Sequence, residues 1–112
     1  MHLQVSPEVL LSQLGYSKND SSIQQAQIVM DQTKDFNKFS KHLISLNDHL
    51  KKMNAYVALS NSTKYLKIKC DENDAKEILE EFHEEVNHWA NKYNIDLQKL
   101  EGKEVYYILG TL

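Results

Sequence analysis

A regular pattern of apolar positions runs through the first half of the chain. Between Val29 and Met53 these positions recur at steps of seven, three and four residues, with Gln32 interrupting one core position. Such steps place the side chains along one stripe of a helix. We call the stripe in the second part of this run the seam, and it consists of Phe36, Phe39, Leu43, Leu46, Leu50 and Met53.

The run predicts a long second helix after a short first one that begins at Ser6-Pro7 and ends at Gly15. No glycine or proline occurs in residues 16–101, so nothing strong interrupts residues 22–53. A helix of that length would span roughly 48 Å, whereas a compact domain of this size has a radius of gyration of about 13 Å. The helix therefore either breaks in residues 31–34, where Thr33 could cap a new helix, or projects toward a partner.

The second half of the chain changes period. Residues 55–60 and 65–70 predict a β-hairpin with its turn at residues 61–63, and an amphipathic helix with apolar steps of three and four follows. Residues 105–109 predict a strand, while residues 96–100 fit either a helical turn or a strand. The predicted order is ααββαβ. This is an α+β fold with a small, mainly antiparallel sheet, in a single domain over residues 1–112, with helices in 6–53 and ββαβ in 54–112.

The composition of the chain excludes several classes of protein. The chain has 112 residues, with one proline, three glycines, one cysteine and no arginine. The glycines are too few and too scattered for a phosphate-binding loop, no apolar run approaches the roughly 18 residues of a membrane span, and the first residues lack a secretory signal pattern. A lone cysteine suits a reducing compartment. We therefore predict a cytoplasmic protein without membrane association, metal or cofactor.

Charge is distributed unevenly. Residues 1–70 hold nine lysines against five acidic residues, whereas residues 71–112 hold four lysines against eleven. Much of the acid falls on the predicted third helix, which makes an acidic face for a basic partner one interpretation and a solvated helix face the other. The residues that would form this acidic face are Glu77, Glu81, Glu84 and Glu85.

Two Glu-x-x-His spacings on the third helix are the only hint of catalytic chemistry. They end at His83 and His88 and place a carboxylate and an imidazole on one helix face. The two histidines are about 140° apart around the helix, so they cannot share a metal ion. We expect both to be exposed surface residues, and acid–base catalysis by histidine and glutamate is one alternative function.

A second alternative is binding of single-stranded nucleic acid. Tyr65, Lys67 and Lys69 share the outward side of the predicted second strand, where a tyrosine could stack on a base and lysines could contact phosphates. The absence of arginine and the net charge of −3 argue against nucleic acid. Lysines on an edge strand would also serve simply to prevent aggregation.

The prediction that best fits these features is a non-catalytic protein–protein interaction or regulatory module. We expect it to form a homodimer, in which the seam of each copy covers that of the other. The alternative is that the seam packs on the chain's own sheet and third helix.

Overall fold

The computed structural model describes residues 6–60, 64–71, 73 and 75–112. It confirms the α+β class. Within these ranges the helices are α1 (Pro7–Leu14), α2 (Asp20–Gln32), α3 (Phe36–Leu50) and α4 (Lys76–Tyr93), with a 3₁₀ turn at Lys51–Met53. The strands are β1 (Ala55–Leu59), β2 (Leu66–Cys70), β3 (Ile95–Lys99) and β4 (Val105–Thr111).

The four strands form one antiparallel sheet in the order β1-β2-β4-β3, so β2 and β4 are interior strands. The predicted hairpin is confirmed as the β1–β2 pair, in which Ala55 lies opposite Cys70 and Leu59 opposite Leu66. Its predicted turn at residues 61–63 lies outside the described residues. The ambiguous segment around residues 96–100 is a strand, because β3 pairs along β4 with a bulge between Asp96 and Leu97.

The long predicted helix breaks near Thr33. Thr33 has an extended backbone (φ −87°, ψ 111°), and its Oγ1 donates a hydrogen bond to the Val29 carbonyl at 2.8 Å. Thr33 therefore ends α2, and it does not cap α3 as the sequence suggested. Asp35, with a left-handed backbone (φ 58°), precedes the first residue of α3.

The break is held by the end of β4. Lys34 forms a parallel bridge with Gly110, whose φ is +134°. A Cβ added at Gly110 would lie 2.6 Å from the Lys34 Cβ, so only glycine permits this close approach. Asp35 accepts a hydrogen bond from the Thr111 hydroxyl at 2.6 Å, and this bond is the main cause that lowers the Asp35 pKa.

A single hydrophobic core lies between the helices and one face of the sheet. It includes Leu10 of α1 and Val29 of α2 together with apolar residues of α3, α4 and all four strands. Its strand members follow the alternation of the sheet, because they are the side chains that point to the helices: Ala55, Val57, Leu59, Leu66, Ile68, Cys70, Ile95, Tyr106 and Ile108.

The seam is part of this core, so the expectation that a second copy covers it needs correction. All six seam side chains are buried within one chain, at 5% exposure or less. The physical reason is that the break at Thr33 frees α3 to fold back, and the inner face of a four-stranded sheet requires an apolar cover. Homodimerisation through the seam would therefore require opening the core.

Candidate binding surface on the sheet

The second face of the sheet carries a different set of side chains. They alternate with the core residues along the strands, and none belongs to the hydrophobic core cluster. No helix in the described part of the chain supplies a residue that covers them. We call this set the outer face, and it consists of Tyr56, Ala58, Lys67, Lys69, Gln98, Val105 and Tyr107.

Strand register arranges the outer face in two rows. In the first row Lys69 of β2 lies between Tyr56 of β1 and Val105 of β4. In the second row Lys67 lies between Ala58 and Tyr107, and Tyr107 is followed by Gln98. Each lysine therefore has a tyrosine as its neighbour on one adjacent strand and a small aliphatic residue on the other.

The aliphatic members of these rows are shielded although they face away from the core. Ala58 and Val105 are each only 5% exposed. Lys67 and Lys69 are their neighbours on β2, and lysine stems can exclude water when they lie along an apolar surface. The outer face is thus a continuous surface of tyrosine rings and lysine stems, with charged lysine ends toward the solvent.

Lys67 and Lys69 lie on the interior strand β2, between β1 and β4. The expectation that they protect a sheet edge is therefore wrong, because their strand has no edge. Neither lysine takes part in an ion pair with any residue that the structure describes. Tyr65, the third residue of the predicted nucleic-acid face, directly precedes β2 and is half-buried.

One end of the outer face opens into a surface depression of about 660 Å³. Tyr56 and Lys69 belong to both the depression and the outer face, and among the described lining residues Lys103 adds a second ammonium group and Asp71 a carboxylate. The side chains of Asn54 and Asn73 complete the lining. Sequence patterns did not identify Tyr56, Tyr107 or Lys103 as part of this surface, because only the strand register brings them beside the lysines of β2.

The acidic face predicted on α4 is only partly a single surface. Glu77, Glu81 and Glu84 are exposed, whereas Glu85 turns to α3 and pairs with His49 at 3.0 Å between carboxylate and Nε2. Because α4 packs its apolar side on the inner face of the sheet, its exposed glutamates point away from the outer face. The exposed glutamates of α4 therefore lie on the helical side of the sheet, away from Lys67 and Lys69.

His83 departs from the expectation of an exposed helix histidine. Its Nδ1 lies 2.5 Å from the Tyr106 hydroxyl, and its Nε2 contacts the Glu104 carboxylate, which links α4 to the start of β4. Asn87 donates to the same Tyr106 hydroxyl at 3.4 Å. No spacing in the sequence indicates this network, because Glu104 lies 21 residues from His83.

The network has a consistent pattern of donors and acceptors. Nε2–H of His83 donates to Glu104, which leaves Nδ1 to accept the O–H of Tyr106. Burial raises the Tyr106 pKa, with smaller effects from the Asn87 hydrogen bond, which lowers it, and the Glu104 charge, which raises it. Tyr106 is only 5% exposed, and none of the three surface depressions described in this section includes it. Its evident role is to join α4 to the sheet.

His88 remains exposed, as expected. It lines a groove of about 400 Å³ between α3 and α4 together with His42 and His49. His42 stacks on Tyr93 with ring centroids 4.0 Å apart. Within the described residues no group of three or more histidine, cysteine, aspartate or glutamate side chains is arranged to hold a metal ion. A further depression of about 360 Å³ adjoins Asp35 and Thr111.

Comparison of the chain with family models, curated proteins and solved structures gives no match. Among the described helices, none combines the length and the apolar character that crossing a membrane requires.

Proposed function

We propose that this protein is a non-catalytic binding module and that its partner binds to the outer face. The observation that carries this proposal is that one side of the sheet bears two lysines on β2, which form no ion pair with any described residue, and a tyrosine on each adjacent strand. Tyrosine rings provide large contact area at a small cost in conformational entropy, and they are enriched where proteins bind other molecules.

The other predicted sites support binding less well. The seam is buried in the core, and the side chains of the His83 network are engaged with one another between α4 and the start of β4. A cytoplasmic location belongs to the same proposal, because the one cysteine, Cys70, is a buried thiol outside any disulfide, of the kind that persists in a reducing compartment.

The proposal is tested by affinity capture from a cell lysate, with the full chain immobilised. Lys67→Glu/Lys69→Glu reverses the charge of the outer face, and we expect it to abolish the capture of specific partners. Lys18→Glu/Lys41→Glu is the matched control, since it changes the net charge equally at two exposed lysines outside the sheet. Both variants must retain the circular dichroism spectrum of the wild type. If the two variants capture the same partners as the wild type, the outer face is not the binding surface.

Self-association through the outer face is the second candidate. It is favoured by Tyr56, which leaves 45% of its surface exposed on an edge strand. Light scattering of the wild type and of Tyr56→Glu tests this candidate. If the protein dimerises through the outer face, the mass should change from that of a dimer in the wild type to that of a monomer in Tyr56→Glu. A monomeric wild type would exclude it.

A further inference from the structure

We propose that the ligand of the outer face is single-stranded nucleic acid. This inference rests on the proposed function and specifies the partner. Its basis is that strand register places an aromatic ring beside each lysine of β2: Tyr56 beside Lys69, and Tyr107 beside Lys67. Unpaired bases stack on aromatic side chains, while the phosphates that connect them are bound by nearby cations.

The geometry of the sheet suits a chain of successive nucleotides. Tyr56 and Tyr107 are separated by two strand spacings and by two residues along the strands, which corresponds to about 12 Å between their Cα atoms. The two lysines of β2 lie between these positions. A strand that crosses the sheet obliquely would therefore pass one ring, then the two ammonium groups, then the second ring.

The depression at the end of the outer face extends this path. It includes Tyr56 and Lys69 and adds Lys103, so a phosphate group bound there would have a third cation within reach. The exposed glutamates of α4 lie on the other side of the molecule, where they repel a bound polyanion least. The net negative charge of the chain argued against nucleic acid in the sequence, but the charged side chains of the outer face itself are the two lysines of β2.

The same surface fits other polymers less well. Lysine is depleted in the centres of protein–protein interfaces, whereas here two lysines occupy the centre of the surface and no ion pair among the described residues neutralises them. In a duplex the bases are already stacked on one another, so tyrosine rings on a sheet cannot reach their faces. Charge complementarity and available aromatic rings together select an unpaired, anionic strand.

The test is a fluorescence anisotropy titration of the full chain with labelled oligo(U) at 50 mM salt, where weak phosphate contacts are detectable. We expect binding that weakens with salt, and a slope of log affinity against log salt that becomes shallower by about 1.4 in Lys67→Ala/Lys69→Ala, because each phosphate contact contributes about 0.7 for single strands. Lys18→Ala/Lys41→Ala should retain the wild-type slope.

The aromatic contribution has its own control. Tyr56→Ala should weaken binding at least about five-fold, whereas Tyr56→Phe, which keeps the ring and removes the hydroxyl, should bind as the wild type does. A duplex RNA of equal length and a poly-glutamate of equal charge are the competitors, and neither should displace oligo(U) efficiently.

Several results would overturn the inference. These are the absence of oligo(U) binding, equal affinities of Tyr56→Ala and Tyr56→Phe, equal losses in the two lysine variants, or displacement by poly-glutamate as effective as by unlabelled oligo(U). The last result would identify an acidic protein segment as the ligand. If oligo(U) does not bind but protein capture depends on Lys67 and Lys69, the nucleic-acid inference is wrong and the binding-module proposal stands. If neither oligo(U) nor any protein binds through these lysines, both proposals are wrong.

Discussion

The two faces of the sheet are built by the same strands and differ in almost every physical respect. On the inner face of β2, Leu66, Ile68 and Cys70 are completely buried. On its outer face, Lys67 and Lys69 are half-exposed, and no described residue forms an ion pair with them. One strand thus supplies the core with one set of side chains and the solvent with the other.

This contrast separates stability from binding. Burial of apolar surface stabilises the fold through the inner face and the seam that covers it, so substitutions there should unfold the protein. The outer face contributes no residue to the hydrophobic core cluster, so substitutions there should leave the fold intact. Substitutions on the two faces should therefore have effects of very different size and kind.

The largest effect should come from a charge placed under the sheet. Leu46→Glu puts a carboxylate into a core position that is 5% exposed, and we expect a loss of more than about 4 kcal/mol in the free energy of unfolding. Chemical denaturation measures this loss. Since natural domains are stable by about 5–15 kcal/mol, this loss would remove a large share of the stability of the protein.

Leu46→Met is the control for this position, because a similar apolar volume should cost less than about 1.5 kcal/mol. A folded, monomeric Leu46→Glu variant would contradict the assignment of the seam to the core of one chain. It would return the seam to the role of an interface between copies.

The next largest effect on stability should come from the contact between Gly110 and Lys34 at the helix break. Gly110→Ala forces a Cβ into the Lys34 backbone at a positive φ, and we expect a loss of about 2–3 kcal/mol. Gly102→Ala is the matched control, since Gly102 also has a positive φ (+75°) but no atom within 4 Å of its added Cβ. If the two variants melt at the same temperature, the contact with Lys34 contributes nothing to stability.

The local patterns of the sequence predicted most helices and strands but not how they pack against one another. The alternation of Leu66, Ile68 and Cys70 and the helical stripe of α4 depend on near neighbours, so they were legible in the chain. The break at Thr33 was only one of two alternatives, because the contact that holds it is a bridge from Lys34 to Gly110 at the far end of the chain. The burial of the seam in the chain's own core was likewise one of two alternatives, since a heptad pattern does not reveal which apolar surface covers it.

The candidate binding surface was predictable to a similar extent. Alternation alone placed Lys67 and Lys69 on an outward side. It could not show that β2 is an interior strand or that Tyr56 and Tyr107 flank the lysines, because strand order and register arise from pairing between distant segments. The contact of His83 with Glu104 and Tyr106 was missed on the same grounds.

A moderate effect on stability should follow from Tyr106→Phe, which tests the hydrogen bond between Tyr106 and His83. The variant keeps the ring and removes a hydroxyl that binds His83 Nδ1 at 2.5 Å, so we expect a loss of about 1 kcal/mol near neutral pH. Denaturant titration measures it. An unchanged stability would mean that water replaces the hydroxyl without cost.

The pH dependence gives this prediction a sign. Because burial raises the Tyr106 pKa above the ordinary tyrosine value of 10.0, its phenol stays largely neutral in both the folded and the unfolded state below pH 10. Above that value the unfolded state loses its proton first, so wild-type stability falls as pH rises toward the higher folded pKa. Tyr106→Phe should lack this part of the alkaline loss. Equal alkaline slopes in the two proteins would contradict the cause assigned to the pKa shift.

The smallest effect on stability should come from the outer face itself. Lys67→Thr/Lys69→Thr removes two charges from an interior strand and supplies residues that favour strands, so we expect the free energy of unfolding to change by less than about 0.5 kcal/mol. Ile68→Ala, at the residue between them, should cost about 2–5 kcal/mol, because it leaves a cavity at a position with no exposure. Denaturant titrations of these variants compare the two faces on a single strand. If the lysine variant lost almost as much stability as Ile68→Ala, the lysine stems would stabilise the fold by covering Ala58 and Val105. The outer face would then be a structural layer of the protein rather than a binding surface.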